Sequence, residues 1–252
     1  MQLTRHFFLR RAHLTIRSAQ HGSEALFAPV VTSSYTPLLD IDYNLHKSNS
    51  TFFSDLDDNR TELMLALFKN VVKPISLGKR TLQPKMFNLG GTSSIFKKAI
   101  SPFSKYEVSS RILCWDQKWI YVVSHFAKPG SSDTGSTIVN RQTRKTVVAN
   151  KGDDCIYATA ITKYVFKQGR ITCNPESIMH ECGLLPPRPT TEGLEGLVNE
   201  LSDPRRELEG HWTWDQVQAE CNKYLKVAQN FAALDDLHEA FTGYSGPSLY
   251  TY

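Results

Sequence analysis

No run of apolar residues in these 252 positions approaches the roughly 20 that a bilayer-spanning helix needs; Trp119 to Val123 is typical of the longest. As it stands, the chain is expected to have no transmembrane helix. Cysteine is scarce and unpaired in pattern. Cys114, Cys155, Cys173, Cys182 and Cys221 are odd in number and contain no CxxC, which argues against a disulfide framework or a zinc ribbon and for reduced thiols. The one metal-like grouping, Cys173, His180 and Cys182, lacks a fourth ligand at a usual spacing, so no metal and no cofactor is expected. Several familiar catalytic motifs are missing as well. There is no GxSxG elbow, no GxxxxGK[ST] phosphate loop, no HExxH and no GxGxxG. With 40% hydrophobic and 21% charged residues, 14 Gly and 12 Pro, the composition excludes disordered, collagen-like and coiled-coil proteins and leaves a globular core with appendages.

Charge is unevenly placed. The net charge of +4 matches an N-terminal arm that holds Arg5, Arg10, Arg11 and Arg17 and no carboxylate before Glu24. The arm suits a mitochondrial presequence, a helix on an anionic membrane surface, or a helix packed on the core. Beyond it the middle of the chain is basic and the tail acidic. A basic core can attract a polyanion such as coenzyme A; a solvated surface matched by the acidic tail is the simpler reading, and no nucleic-acid partner is expected.

Pattern sets the organisation. Val30 to Leu38 is β-branched and alternating, and it runs into Asp40 to Asn44, whose Asp and Asn favour a turn. Ser48, Asn49 or Ser50 can cap a helix, after which Phe52, Phe53, Leu56, Leu63, Met64, Leu67 and Phe68 recur at helical spacing. A long, largely buried helix is predicted from about Ser50 to Lys69. The period then changes to two: Met86 to Ala99, Tyr106 to Trp115, Lys118 to Ala127 and Cys155 to Phe166 read as four long strands, with Asp116 and Gln117 as a hairpin turn. A short helix over Pro175 to Cys182, a linker opened by Pro186, Pro187 and Pro189, and a second long helix from Trp214 to about Phe241 complete the chain. This order predicts an α+β domain with a mostly antiparallel sheet.

The conspicuous polar cluster is Asp40, Asp42, His46, Lys47, Ser48 and Asn49, set between a strand and a buried helix. A helix N-terminus presents unpaired N–H groups that can polarise a carbonyl or hold an oxyanion, and an Asp beside it can act as base or nucleophile. That is a layout for acyl transfer. The same residues also suit a structural use, with Asp40 and Asp42 satisfying turn amides and Asn49 capping the helix.

The run from Asp40 to Asp57, DIDYNLHKSNSTFFSDLD, resembles the DxDxxxHxxNxxY signature of hotdog-fold thioesterases, and most of all the fungal group related to thioesterase superfamily member six. Gly90-Gly91, Tyr106-Glu107, Arg111 to Phe126, Lys163 to Arg170 and the Trp212-Thr213-Trp214 region extend the likeness over about residues 25 to 240. Phe52 replaces the signature's frequent Tyr, and Gln117 a commonly basic residue. The resemblance implies a hotdog fold, an antiparallel sheet wrapped around a long central helix. With the charge and proline patterns above, it divides the chain into a basic arm over 1–24, the hotdog domain over 25–185, and a proline-containing linker with a C-terminal helical extension over 186–252. It also implies hydrolysis of acyl-coenzyme A or acyl-carrier-protein thioesters, with dehydratase, isomerase, other biosynthetic acyl-chain chemistry or non-catalytic acyl binding as alternatives. Carried over, Asp42 falls on the catalytic carboxylate and His46 and Asn49 on the other polar positions. Amides near Ser50 and Thr51 would polarise the carbonyl, and Gly90 and Gly91 would contact substrate. A homodimer is expected from the family's habit and from the edge strands that a wrapped sheet leaves open. A cytoplasmic location is expected, with mitochondrial or membrane-peripheral placement, through weak contact of the arm, as the alternatives.

Overall fold

The computed structural model describes residues 21–72, 76–77, 80–81, 84–131, 153–188 and 211–241. The arginine arm to residue 20 and most of the proline-containing linker therefore lie outside the described residues. Five long elements pair into one antiparallel sheet: β1 (Val30–Tyr35), β2 (Met86–Phe96), β3 (Lys105–Trp115), β4 (Trp119–Ala127) and β5 (Ile156–Gln168). Their order across the sheet is β1-β3-β4-β5-β2, and a short β6 (Ile171–Cys173) pairs with the end of β5. β1 and β2 are thus the edges.

The sheet lies on α1 (Asn49–Val72), and contacts from this one helix reach all five long strands. Asn59 Nδ2 donates to Val30 O at 3.2 Å on β1 and to Val108 O at 3.0 Å on β3. Phe52 packs on Phe126 of β4 and Phe96 of β2, with ring centroids 4.6 and 5.1 Å apart. Phe68 meets Phe166 of β5 at 4.9 Å. Leu56, Leu63, Met64, Leu67 and Phe68 are essentially fully buried, and each contributes about 1.5–3 kcal/mol by leaving water. Asn59 and Arg60 interrupt this apolar stripe, yet both are buried and hydrogen-bonded. Arg60 donates to Leu56 O, to Thr92 and Thr162 on the edge side of the sheet, and to Asp57. An α+β architecture with an antiparallel sheet and helices is what the pattern predicted.

The boundaries differ from the sequence reading in ways that have local causes. β1 stops at Tyr35 because Pro37 has no N–H to give a ladder, and Leu38–Asp40 forms a 3-10 turn instead. α1 starts at Asn49 and continues to Val72, three residues beyond Lys69, where buried Val71 and Val72 extend the apolar face. β2 ends at Phe96 rather than Ala99, as the N–H groups of Lys97 and Lys98 both turn onto Tyr157 O. β6 was not anticipated; Gly169, at φ +59°, opens the two-residue loop that lets the chain double back. The C-terminal helix is regular only over α3 (Trp214–Ala232) and tightens to 3-10 over Ala233–Phe241. The helix predicted at Pro175 is present as α2 (Pro175–Glu181).

α3 buries Val217, Cys221 and Ala228 against the sheet's other face, where the Trp115 N–H points at Cys221 Sγ, 3.4 Å away. Its start is tied to residues before β1, since Glu24 accepts from Trp212 N–H and lies 3.0 Å from His211 Nδ1. Both faces of the sheet are therefore covered by helix from the same chain, at least in part.

Candidate functional site

The residues between β1 and α1 form a small hairpin. Ile41 bridges Lys47, Asp42 N–H donates to His46 O at 3.1 Å, and Leu45 N–H donates to Asp42 O at 3.0 Å. The Asp42 carboxylate folds back on this turn and accepts from Asn44 N–H at 2.9 Å, the Asx-turn chemistry that Asp and Asn favour. Leu45 sits at φ +61°, a conformation that costs a branched residue about 1 kcal/mol or more. It is also 76% exposed, so the core does not explain its side chain. Leu38, Leu39 and Tyr43 are exposed beside it and give the loop an apolar rim.

What fixes this hairpin to the helix is Lys47. Its side chain is buried, and its Nζ lies 2.9 Å from Asp40 Oδ2 on one side and 2.9 Å from Asp55 Oδ2 on the other. Tyr106 OH donates to the same Asp55 oxygen at 2.6 Å. Burial alone would push the Lys47 ammonium down. The hydrogen bonds to Asp40 and Asp55, the Asp55 charge and Tyr106 outweigh it and hold the group above its ordinary value. Burial and the bond to Asp55 push the Tyr106 phenol up to about 12, so it remains a donor. The backbone adds two ties, Lys47 N–H to Ile100 O at 2.9 Å and Ser48 N–H to Asp40 O at 2.7 Å.

At the start of α1, Thr51 turns inward, and both its N–H and its hydroxyl donate to Ser48 O, at 3.0 and 2.8 Å. The Thr51 amide is thus spent within the turn. The N–H groups of Asn49 and Ser50, at the start of α1, have no helical carbonyl behind them. The Ser50 hydroxyl pairs with Ser48 Oγ at 3.0 Å.

A cleft of about 190 Å³ opens between this helix start and the end of β2, lined by His46, Lys47, Asn49, Phe52, Phe96, Lys97, Lys98 and Ala99. His46 and Asn49 therefore reach it directly. Asp42 stands behind His46, with Oδ1 3.7 Å from Nδ1. Nδ1 also lies 3.2 Å from Lys47 O, which can only accept, so a proton on Nδ1 suits this contact, and in the neutral imidazole that tautomer makes Nε2 an acceptor. Within one chain Gly90 and Gly91 are not brought to this place. They lie at the middle of β2, some 15–20 Å along the strand from Phe96. There a Cβ on Gly90 would stand 2.3 Å from the Trp119 ring and one on Gly91 3.3 Å from Lys163 Cε, so close packing accounts for this glycine pair. No group of three or more His, Cys, Asp and Glu suited to a metal occurs among the described residues.

The sequence reading named Lys47 in the polar cluster without a role and did not single out Phe96, Lys97 or Lys98 for the site. A lysine between a turn and a helix carries no mark of burial. Only the Tyr106-Glu107 pair, already conspicuous, hinted at the other half of the Lys47 network.

A model of the thioesterase-like superfamily matches residues 36–168, which runs from the end of β1 to the end of β5. The chain belongs to that superfamily. It is 38% identical over 235 residues to thioesterase poxG of Penicillium oxalicum, covering 88% of this chain and 72% of that protein. It is 37% identical over 228 residues to the probable thioesterase atnL of Emericella nidulans, covering 86% and 71%. Among solved structures, the Escherichia coli YbaW probable thioesterase aligns with a TM-score of 0.43 and 8% identity over 62% of this chain and 97% of that one. By its family and by these curated fungal relatives, the protein is a thioesterase, an enzyme that hydrolyses thioester bonds.

Proposed function

We propose that the cleft at the start of α1 hydrolyses acyl thioesters of coenzyme A or an acyl carrier protein, with Asp42 as the catalytic carboxylate. The observation that carries this reading is the juxtaposition of the Asp42–His46 pair with the open first turn of α1. A thioester carbonyl placed over Asn49 and Ser50 meets two N–H donors and the positive end of a 24-residue helix, which favours the oxyanion that forms on attack. Asp42 acts either as base or as nucleophile. As base it takes a proton from water while the oxygen attacks the carbonyl carbon; the C–S bond then breaks and the thiolate leaves as the thiol. As nucleophile it attacks the carbonyl carbon, the C–S bond breaks and the thiolate leaves as the thiol with a proton from solvent, and water then opens the mixed anhydride to the acid and the free carboxylate. His46, on the cleft wall with Nε2 as acceptor, orients the water in either route, and the Asn49 side chain lines the substrate's path.

Purified protein assayed for thiol release on a panel of short to long acyl-coenzyme A esters and on acyl-carrier-protein thioesters tests the reading. Turnover on at least one class is expected, and none on any would favour an acyl-binding or isomerase role. After a single turnover in ¹⁸O water, label in Asp42 would establish the nucleophilic route with water opening the anhydride at the Asp42 carbonyl, whereas label in the product acid alone is common to the base route and to opening at the acyl carbon, which trapping of an acyl-Asp42 with hydroxylamine tells apart.

A homodimer is part of the same proposal. β2 is an edge strand with Met86, Leu89, Ile95 and Phe96 exposed, and the rim of Leu38, Leu39, Tyr43 and Leu45 offers further apolar surface beside the cleft. Pairing of β2 with a second copy would cover the unpaired backbone. Light scattering at micromolar concentration is expected to give twice the chain mass, and a monomer would refute it.

A further inference from the structure

The cleft has a cationic side that the hydrolytic chemistry does not use. Lys97 and Lys98 line it, and both donate their backbone N–H to Tyr157 O, at 2.8 and 3.0 Å, so the chain that carries them is pinned to β5. Lys128 follows β4 and is pinned to the other side of β5 through its N–H to Cys155 O at 2.9 Å. Two inter-strand spacings, about 10 Å, therefore separate Lys128 from the lysine pair across the end of the sheet. All three lysines are exposed. Asp154 lies among them. Lys98 pairs with its carboxylate and donates to its backbone O at 3.1 Å, and its carboxyl is held below the ordinary range by Lys98 first and by the Lys128 charge second. The Asp154 side chain is 90% exposed, so this ion pair is open to exchange with a stronger anion.

We propose that Lys97, Lys98 and Lys128 form an anion site at the mouth of the cleft that takes the phosphate of the substrate's thiol carrier. The inference rests on the thioester reading of the cleft and adds the group by which the carrier is held. Length supports it. A pantetheine arm has about a dozen bonds between sulfur and phosphate and spans roughly 15 Å when extended. A thioester at Asn49 whose arm leaves past Phe96 passes Lys97 and Lys98 and brings its phosphate into the space between them and Lys128. Multiple charge supports it too, because a phosphate or diphosphate can engage more than one ammonium, as a single carboxylate cannot do as well. The phosphate is common to coenzyme A and to the prosthetic arm of a carrier protein, so the site serves either source.

The test compares wild type with a Lys97→Gln/Lys98→Gln/Lys128→Gln variant that melts at the same temperature. Calorimetry with coenzyme A and with pantetheine is the first readout. The variant is expected to lose about tenfold or more in affinity for coenzyme A and less than twofold for pantetheine, with the wild-type affinity for coenzyme A falling as salt rises. The second readout is the ratio of KM for an acyl-pantetheine ester to that for the matching acyl-coenzyme A, which should fall by a similar factor. Equal weakening of both ligands, an unchanged affinity for coenzyme A, or no binding of coenzyme A by the wild type would overturn the proposal. Weakening toward both acyl-coenzyme A and an acyl-carrier-protein thioester supports the shared phosphate, and weakening toward coenzyme A alone assigns the site to its nucleotide phosphates. Weakening toward the carrier protein alone overturns it in favour of contact with the protein surface. If the wild type binds coenzyme A but cleaves no ester, the catalytic reading fails while calorimetry still judges the lysines.

Discussion

Replacing Lys47 by Met keeps most of the side chain's volume and removes its charge from between Asp40 and Asp55. Breaking a buried ion pair by deleting one partner costs about 3–5 kcal/mol, chiefly because the other charge is left without compensation. Here Asp40 and Asp55 remain 26% and 21% exposed, so water recovers part of that loss, and about 2–4 kcal/mol is the expected destabilisation. Urea denaturation at pH 7 measures it as a lower midpoint at an unchanged slope. A Lys47→Met/Asp55→Asn double variant should regain at least about 1 kcal/mol, since it removes one stranded carboxylate. The pH dependence has a definite sign. The folded-state value of Lys47 is raised, so its stabilisation is complete below the unfolded lysine value near pH 10.4 and is lost as pH rises through the higher folded value. The gap between wild type and Lys47→Met should therefore be flat from neutral pH to about pH 10 and close above it. Turnover should fall with stability, because Lys47 ties the hairpin bearing Asp42 to α1; faster amide exchange over residues 41–47 would report the loosening. A loss below about 1 kcal/mol at pH 7, or a gap that widens in alkali, would refute the reasoning.

Asp42→Asn should lower kcat by at least about a hundredfold while leaving the melting temperature within a few degrees, because the amide preserves the turn yet neither attacks nor accepts the proton; His46→Ala should cost about tenfold. Wild-type turnover in Asp42→Asn would move the catalytic carboxylate elsewhere. Gly90→Ala should destabilise by about 1–3 kcal/mol in chemical denaturation, since its Cβ meets the Trp119 ring, whereas Gly91→Ala should be milder because the Lys163 stem can give way. Burial pushes the Cys114 and Cys182 thiols up to about 12 and Cys221 up to about 11. At pH 8 iodoacetamide should therefore spare all three in the folded protein and label them after unfolding, which mass spectrometry of digested samples would check.

The parts of this molecule that were legible in the sequence are those in which periodicity and burial coincide. Phe52, Leu56, Leu63, Met64, Leu67 and Phe68 mark one helical face because that face meets the sheet. Alternation holds over the first part of β3 and of β5, where one side of the strand faces the core, whereas β4 and the later parts of β3 and β5 are buried on both faces and read as near-continuous apolar runs. Legibility ends where a polar group is buried for a partner far away in sequence. Asn59 and Arg60 weaken the apolar stripe of α1, and their reasons lie on β1, β3, β2 and β5. Asp42, His46 and Asn49 stood out as a cluster, but spacing could not say that Asp42 would stand behind His46, or that Thr51 would spend its amide on Ser48. Lys47 is the sharpest case. A lysine in a loop reads as solvated, and it is buried here because Asp40, seven residues earlier, and Asp55, eight residues later, close on it together once α1 docks. Docking also requires the Tyr106 hydroxyl to reach Asp55 from β3. The hairpin that carries Asp42 is thus held in place by sheet formation. Its geometry is a property of the folded sheet and helix together, and a variant that loosens β3 at Tyr106 should disturb the cleft without touching a residue that lines it.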